Sequence, residues 1–168
     1  MESKVNIAAI NYHFGSKDAL LEKALEVGSA SAFQKGISML LNPGRDPIER
    51  LKQFFSVYAR GMMKHPLLAR TAFLSFLTND TGTNPYGRYT KEMIEKVGRV
   101  IAEANGWTDG KESRTMALMV VSGVIFPFLA ASMIQQTNTV DYNDDAARSR
   151  YVELLLTLAT TKREVSDG

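Results

Sequence analysis

Apolar side chains recur along this chain every three or four residues, the rhythm of helices with one buried face, and short clusters of turn formers separate the rhythmic stretches. After Ser16, a side chain suited to capping, positions 20, 21, 24, 25 and 27 are apolar, which predicts a helix running to about Leu41, where Asn42-Pro43-Gly44 stops it. Asp46, Pro47 and Glu49 form a capping pattern for a second helix, with Leu51, Phe54, Phe55, Tyr58 and Met62 on one broad face and an end near His65-Pro66. A short third helix covers 67–77, and the turn formers of 79–85 make the clearest loop in the chain. Tyr89, Met93, Val97, Val100 and Ile101 mark a fourth helix that Gly106 closes. A fifth begins near Glu112 and includes 117–134, 18 residues without a charge, bent at Pro127. Residues 135–142 read as a polar link, Asp144-Asp145 as a helix start, and Ala147, Tyr151, Leu154, Leu155, Leu158 and Lys162 as the face of a last helix before a tail expected to fray. No stretch alternates with the period of a strand, so the expected class is all-α.

Composition narrows the function more than the fold. The chain has 168 residues, 45% of them hydrophobic: one domain, or a domain with a small appendage, and enough to bury a real core. It has no cysteine and two histidines, His13 and His65, so thiolate chemistry is excluded and a histidine-rich metal site has little material. There is no glycine-rich phosphate loop, no zinc-protease motif and no pair of carboxylates in an apolar setting, and neither catalysis, cofactor nor metal is expected. Residues 1–80 carry 10 basic and 7 acidic side chains against 10 and 11 in 81–168, a slight bias toward an anionic partner for the first half. The 117–134 segment just meets the length of a membrane span, yet it contains Ser122, Gly123, Pro127 and Ser132 and lacks aromatic residues at its ends. The buried core of a soluble fold is the preferred reading, no membrane partner is expected, and without a signal-peptide pattern behind Met1-Glu2-Ser3-Lys4 the expected location is cytoplasmic.

The most informative stretch is 5–21. Val5, Ile10 and Phe14 form a thin apolar stripe on a short helix, Gly15 makes a tight turn, and Ser16-Lys17-Asp18-Ala19-Leu20 opens the long helix. The other side of the short helix shows Asn6, Ala8, Ala9 and Asn11, beside Tyr12, His13 and Lys17. Small side chains let a helix approach base edges in the major groove, while Tyr, His and Lys reach phosphates. The alternative for Tyr12, His13 and Phe14 is plain packing at a helix corner. Asn11-Tyr12-His13-Phe14-Gly15-Ser16-Lys17-Asp18-Ala19-Leu20 resembles the end of the recognition helix and the start of the connecting helix in the tetracycline-repressor (TetR) family of bacterial regulators.

The resemblance implies a remnant of a helix-turn-helix in 1–17, a connecting helix in 18–41, and a ligand-binding and dimerisation domain in 42–168. It places Asn6, Ile7, Ala8 and Ala9 in the major groove with Asn11 at its edge, and Tyr12 or His13 and Lys17 on the DNA backbone. Only four residues precede Val5, where the family has two supporting helices. The chain as written is therefore expected to be truncated within the helix-turn-helix and impaired in DNA binding, through start-site assignment, gene truncation or processing. The family's repressors bind operator DNA as homodimers through their last two long helices, here 112–134 and 146–162. Ser122, Gly123, Ala130, Ala131 and Ser132 would permit close approach there, and Tyr151, Leu154, Leu155 and Leu158 would form an apolar ridge. The alternative is that both helices pack only within one subunit. An effector pocket between the middle helices would draw its lining from Phe54, Phe55, Tyr58, Met62, Phe73, Phe76, Met93, Met116, Met119 and Phe126, with Tyr58, Asn79 and Trp107 as polar candidates. Eight Met and eight Phe suit a small hydrophobic or aromatic effector, ordinary core being the alternative for each residue. The implied function is a repressor released by that effector. A stand-alone helical ligand-binding or dimerisation module is the other reading.

Overall fold

A computed structural model of the chain describes residues 15–78, 85–108, 110–137 and 139–161. Among them it has seven helices and no strand, the all-α class that the periodicity predicts. The chain forms two compact units, residues 1–34 and 35–168. Helix α1 (Lys17–Leu40) begins in the first. Its start is fixed locally: Gly15 takes φ +79°, a left-handed conformation that glycine adopts without steric cost, and the Ser16 hydroxyl accepts a hydrogen bond from the Ala19 amide at 3.0 Å.

The second unit takes the end of α1 and six further helices: α2 (Pro47–Lys64), α3 (Pro66–Thr78), α4 (Pro85–Asn105), α5 (Gly110–Leu129), α6 (Ala131–Gln136) and α7 (Asp145–Thr160). Helix α2 starts as its sequence dictates. The Asp46 carboxylate accepts from the amides of Ile48 and Glu49 at 2.9 and 3.2 Å, and Pro47 occupies a position whose N–H would have no helical partner. It packs against α3, α4, α5 and α7, burying Leu51, Phe54, Phe55, Ala59 and Met62. Helix α4 contributes Met93, Val97, Val100 and Ile101 to this core, α5 contributes Ala117, Val120, Val121, Val124 and Phe128, and α7 contributes Val152, Leu156 and Ala159.

Two glycines set how closely the helices approach. A Cβ on Gly98 of α4 would sit 3.2 Å from both the Cα and the backbone nitrogen of Arg114, and one on Gly123 of α5 would sit 3.0 Å from a methyl of Leu155 on α7. Gly106, at φ +68°, ends α4 in a Schellman turn, with the Trp107 amide donating to the Ala102 carbonyl at 2.9 Å. Beside it the buried Asn105 amide donates to the carbonyls of Ile101 and Ala159, joining the ends of α4 and α7.

Two features depart from the sequence reading. The apolar segment is not one helix bent at Pro127. It breaks at Ala130, three residues later, and α6 follows as a separate piece. Nor is 135–142 polar throughout: Tyr142 is 2% exposed and donates its hydroxyl proton to the Val124 carbonyl at 2.6 Å. Helix α5 is long and apolar enough to cross a membrane, alone among the described helices. Its buried stripe is packed against α2, α4 and α7.

Candidate functional site

Of the residues expected to meet DNA, Asn6, Ile7, Ala8, Ala9, Asn11, Tyr12 and His13 lie outside the described residues. Lys17 is the first residue of α1, directly after the Ser16 cap, and its side chain is outside the described ones.

The aromatic and methionine set divides. Phe54 meets Phe55 edge-on, with ring centroids 5.1 Å apart, and stacks on Tyr58 at 6.0 Å. Gly36 of α1 lies against the same ring, leaving 3.2 Å between a would-be Cβ and Phe54. Burial pushes the Tyr58 phenol well above the ordinary tyrosine range. Met62 and Met93 are buried in this core, and Phe73 and Met116 are half-buried. Phe76 lies on α3, with its side chain outside the described ones, and Asn79 is outside them altogether. Met119 and Phe126 do not join the group: they are 60% and 53% exposed on the outer side of α5.

The set expected at a subunit interface divides as well. Gly123 and Leu155 interlock within the chain, and the Tyr151 hydroxyl donates to the Gly123 carbonyl at 3.0 Å, so these three build the α5–α7 seam. The reason lies in the sequence of α5. Pro127 has no N–H, so the carbonyl four residues before it, that of Gly123, loses its helical donor. Tyr151 supplies the missing proton, and Tyr142 reaches the next carbonyl, that of Val124. The two phenol rings meet edge-on at 6.1 Å, and burial raises both pKa values. Arg148 fixes this corner: it donates to the Tyr142 carbonyl at 2.7 Å and pairs with Asp145. Sequence reading missed Tyr142; the proline inside an apolar helix signals only the Gly123 carbonyl, whose outside donor is Tyr151.

Outside the seam, Leu154 and Leu158 are 58% and 64% exposed, Ser122 is exposed, and Ala130 is half-buried at the helix break. Leu118, Met119, Phe126, Leu129 and Met133 share their character, each exposed by a third or more. On α5 the positions 118, 119, 122, 126 and 129 follow helical spacing opposite the buried stripe 117, 120, 121, 124 and 128. A soluble chain rarely leaves so many large apolar side chains in water on adjoining helices unless they meet a partner. Among the described residues no three His, Asp or Glu side chains converge in a way that would hold a metal.

No protein-family model matches this chain, and no solved structure matches it. It is similar to the HTH-type transcriptional repressor KstR of Rhodococcus jostii strain RHA1, with 28% identity over 153 residues, which are 90% of this chain and 68% of the relative. That similarity supports a regulator of transcription.

Proposed function

We propose that this chain is the sensing and dimerising part of a cytoplasmic TetR-like transcriptional repressor, not an enzyme, that acts on operator DNA as a homodimer and is released by a small hydrophobic or aromatic effector. The observation that carries the reading is the similarity to a transcriptional repressor across 90% of the chain. Two features support it. The outward leucines of α5 and α7 offer an apolar surface that a second copy would cover in a four-helix contact, and the Phe54–Phe55–Tyr58 cluster with Met62 and Met93 gives a polarisable core for an apolar ligand. Two recognition elements must match half-sites about 34–36 Å apart, so an effector that moves the helix leading to the DNA-binding head by a few ångströms releases the operator.

Light scattering tests the dimer directly. The wild-type chain should run at twice its monomer mass, and L154D/L158D should run as a folded monomer. A panel of hydrophobic compounds, read by thermal shift and Trp107 fluorescence, tests the effector site. A gel shift with the DNA flanking the gene, run on the chain extended by its in-frame upstream codons, tests the operator. A dimer that binds apolar compounds and retards no DNA would be the stand-alone ligand-binding or dimerisation module. A wild-type monomer, or a flat response to every compound, would refute the corresponding half of the proposal.

A further inference from the structure

Helices α1 and α2 meet in a fixed register. Gly36 of α1 faces Phe54 of α2, and one turn further along α1 the Leu40 carbonyl accepts a hydrogen bond from Arg50, one turn earlier on α2, at 3.4 Å. All four residues are buried and belong to the second compact unit. The two contacts differ in kind. At Leu40 the helix is pinned: the leucine side chain is fully buried, and the guanidinium that holds its carbonyl is itself paired with Glu103 of α4 at 2.5 Å. At Gly36 only ring and backbone meet. A Cβ there would stand 3.2 Å from one carbon of the Phe54 ring and 3.5 Å from the next.

Phe55 and Tyr58 take other sides of that ring, one edge-on and one stacked. A ring enclosed in this way cannot admit a new neighbour without moving, because a core packed to crystal-like density has no slack. A side chain at position 36 would absorb a small shift of the ring by changing rotamer. Glycine has none, so the shift passes directly to the backbone of α1.

We infer that the Gly36–Phe54 contact couples the aromatic cluster to α1: an apolar molecule bound against Phe54 and Tyr58 displaces α1 at Gly36, and the Arg50–Leu40 bond is the fixed end against which it moves. This coupling rests on the effector reading above and names the residues that transmit it. The coupling is reciprocal, so a change that crowds α1 against Phe54 must weaken binding at the cluster.

The test uses the full chain and N-phenylnaphthylamine, an apolar aromatic amine whose fluorescence rises when it leaves water. That fluorescence reads its affinity, and deuterium uptake of a peptide covering 35–41 reads the response of α1, with a peptide from α7 as reference. Saturating probe should change uptake at 35–41 by about twofold or more relative to α7. Gly36→Ala adds a methyl between ring and helix, so α1 must give further to admit the probe, which should bind about fivefold more weakly. Gly98→Ala crowds the Arg114 backbone instead and controls for lost stability; it should leave the affinity unchanged. In an Arg50→Met background, where the pin at Leu40 is released, Gly36→Ala should cost less than in the wild type. Circular dichroism checks the fold of each variant, and the wild-type uptake measurement needs no substitution. Bound probe that leaves 35–41 unchanged, equal affinity for Gly36→Ala and wild type, or the same loss with and without Arg50 would each overturn the coupling and leave the effector reading standing. Absence of probe binding to the wild-type chain would overturn the coupling together with an apolar site at the cluster.

Discussion

A buried tyrosine hydroxyl contributes to stability through the carbonyl that it reaches. Tyr142 is buried and donates at 2.6 Å to Val124 within one residue of the carbonyl that Pro127 leaves without its helical donor. Tyr142→Phe should therefore lower the free energy of unfolding by about 1–2 kcal/mol, read by urea denaturation. The same phenol gives stability a pH dependence. Burial raises its folded pKa, while the unfolded chain ionises it near the ordinary 10.0. Above that pH the folded state holds more protons than the unfolded one, so stability is complete at neutral pH and falls as pH rises through the ordinary tyrosine value. Tyr142→Phe should make that alkaline decline shallower. Arg50 is a second costly residue. Its guanidinium is 4% exposed, donates to the Leu40 carbonyl at the end of α1, and meets Glu103, which is 53% exposed. Glu103→Ala would strand a buried cation and should cost about 1–2 kcal/mol, tempered by the exposure of the carboxylate. If the pair is the cause, a double-mutant cycle with Arg50→Met should recover part of that loss.

At the scale of elements, three glycines predict three different outcomes. Gly98 faces the backbone of Arg114, which cannot step aside, so Gly98→Ala should destabilise by about 1–3 kcal/mol. Gly123 faces only the tip of Leu155, a flexible neighbour, and Gly123→Ala should cost less, about 1 kcal/mol. A Cβ on Gly61 would meet nothing within 4 Å on the exposed face of α2, and Gly61→Ala should stabilise by about 0.5–1 kcal/mol through helix propensity alone. Thermal denaturation of the three variants ranks them. The elements themselves were largely legible. Asp46 and Pro47, Gly106, and Asp144 announced their boundaries because capping is local chemistry, written within three or four residues. The break at Ala130 was not legible, since no side-chain cap marks the start of α6. Gly123 was read as a close-approach position, between subunits or within one; sequence shows that a small residue admits a neighbour, and within the chain that neighbour is Leu155.

At the scale of the molecule, composition and periodicity pointed to an all-α chain, and the outer leucines of α5 and α7 were partly foreseen in Leu154 and Leu158. Met119 and Phe126 were read as lining because an apolar side chain has the same sequence signature facing inward or facing a partner. If the outward face is covered by a second copy, stability is linked to concentration. The thermal midpoint of the wild-type chain should then rise with protein concentration, and that of L154D/L158D should not. The two tyrosine bonds just before Pro127 carry a last consequence for any rearrangement that travels through α5. Two side chains, one from the loop before α7 and one from α7 itself, grip adjacent carbonyls, so drawing this end of α5 away from α7 would strip both at once. Such a joint has no cheap intermediate setting; it behaves as a detent, either seated or sprung.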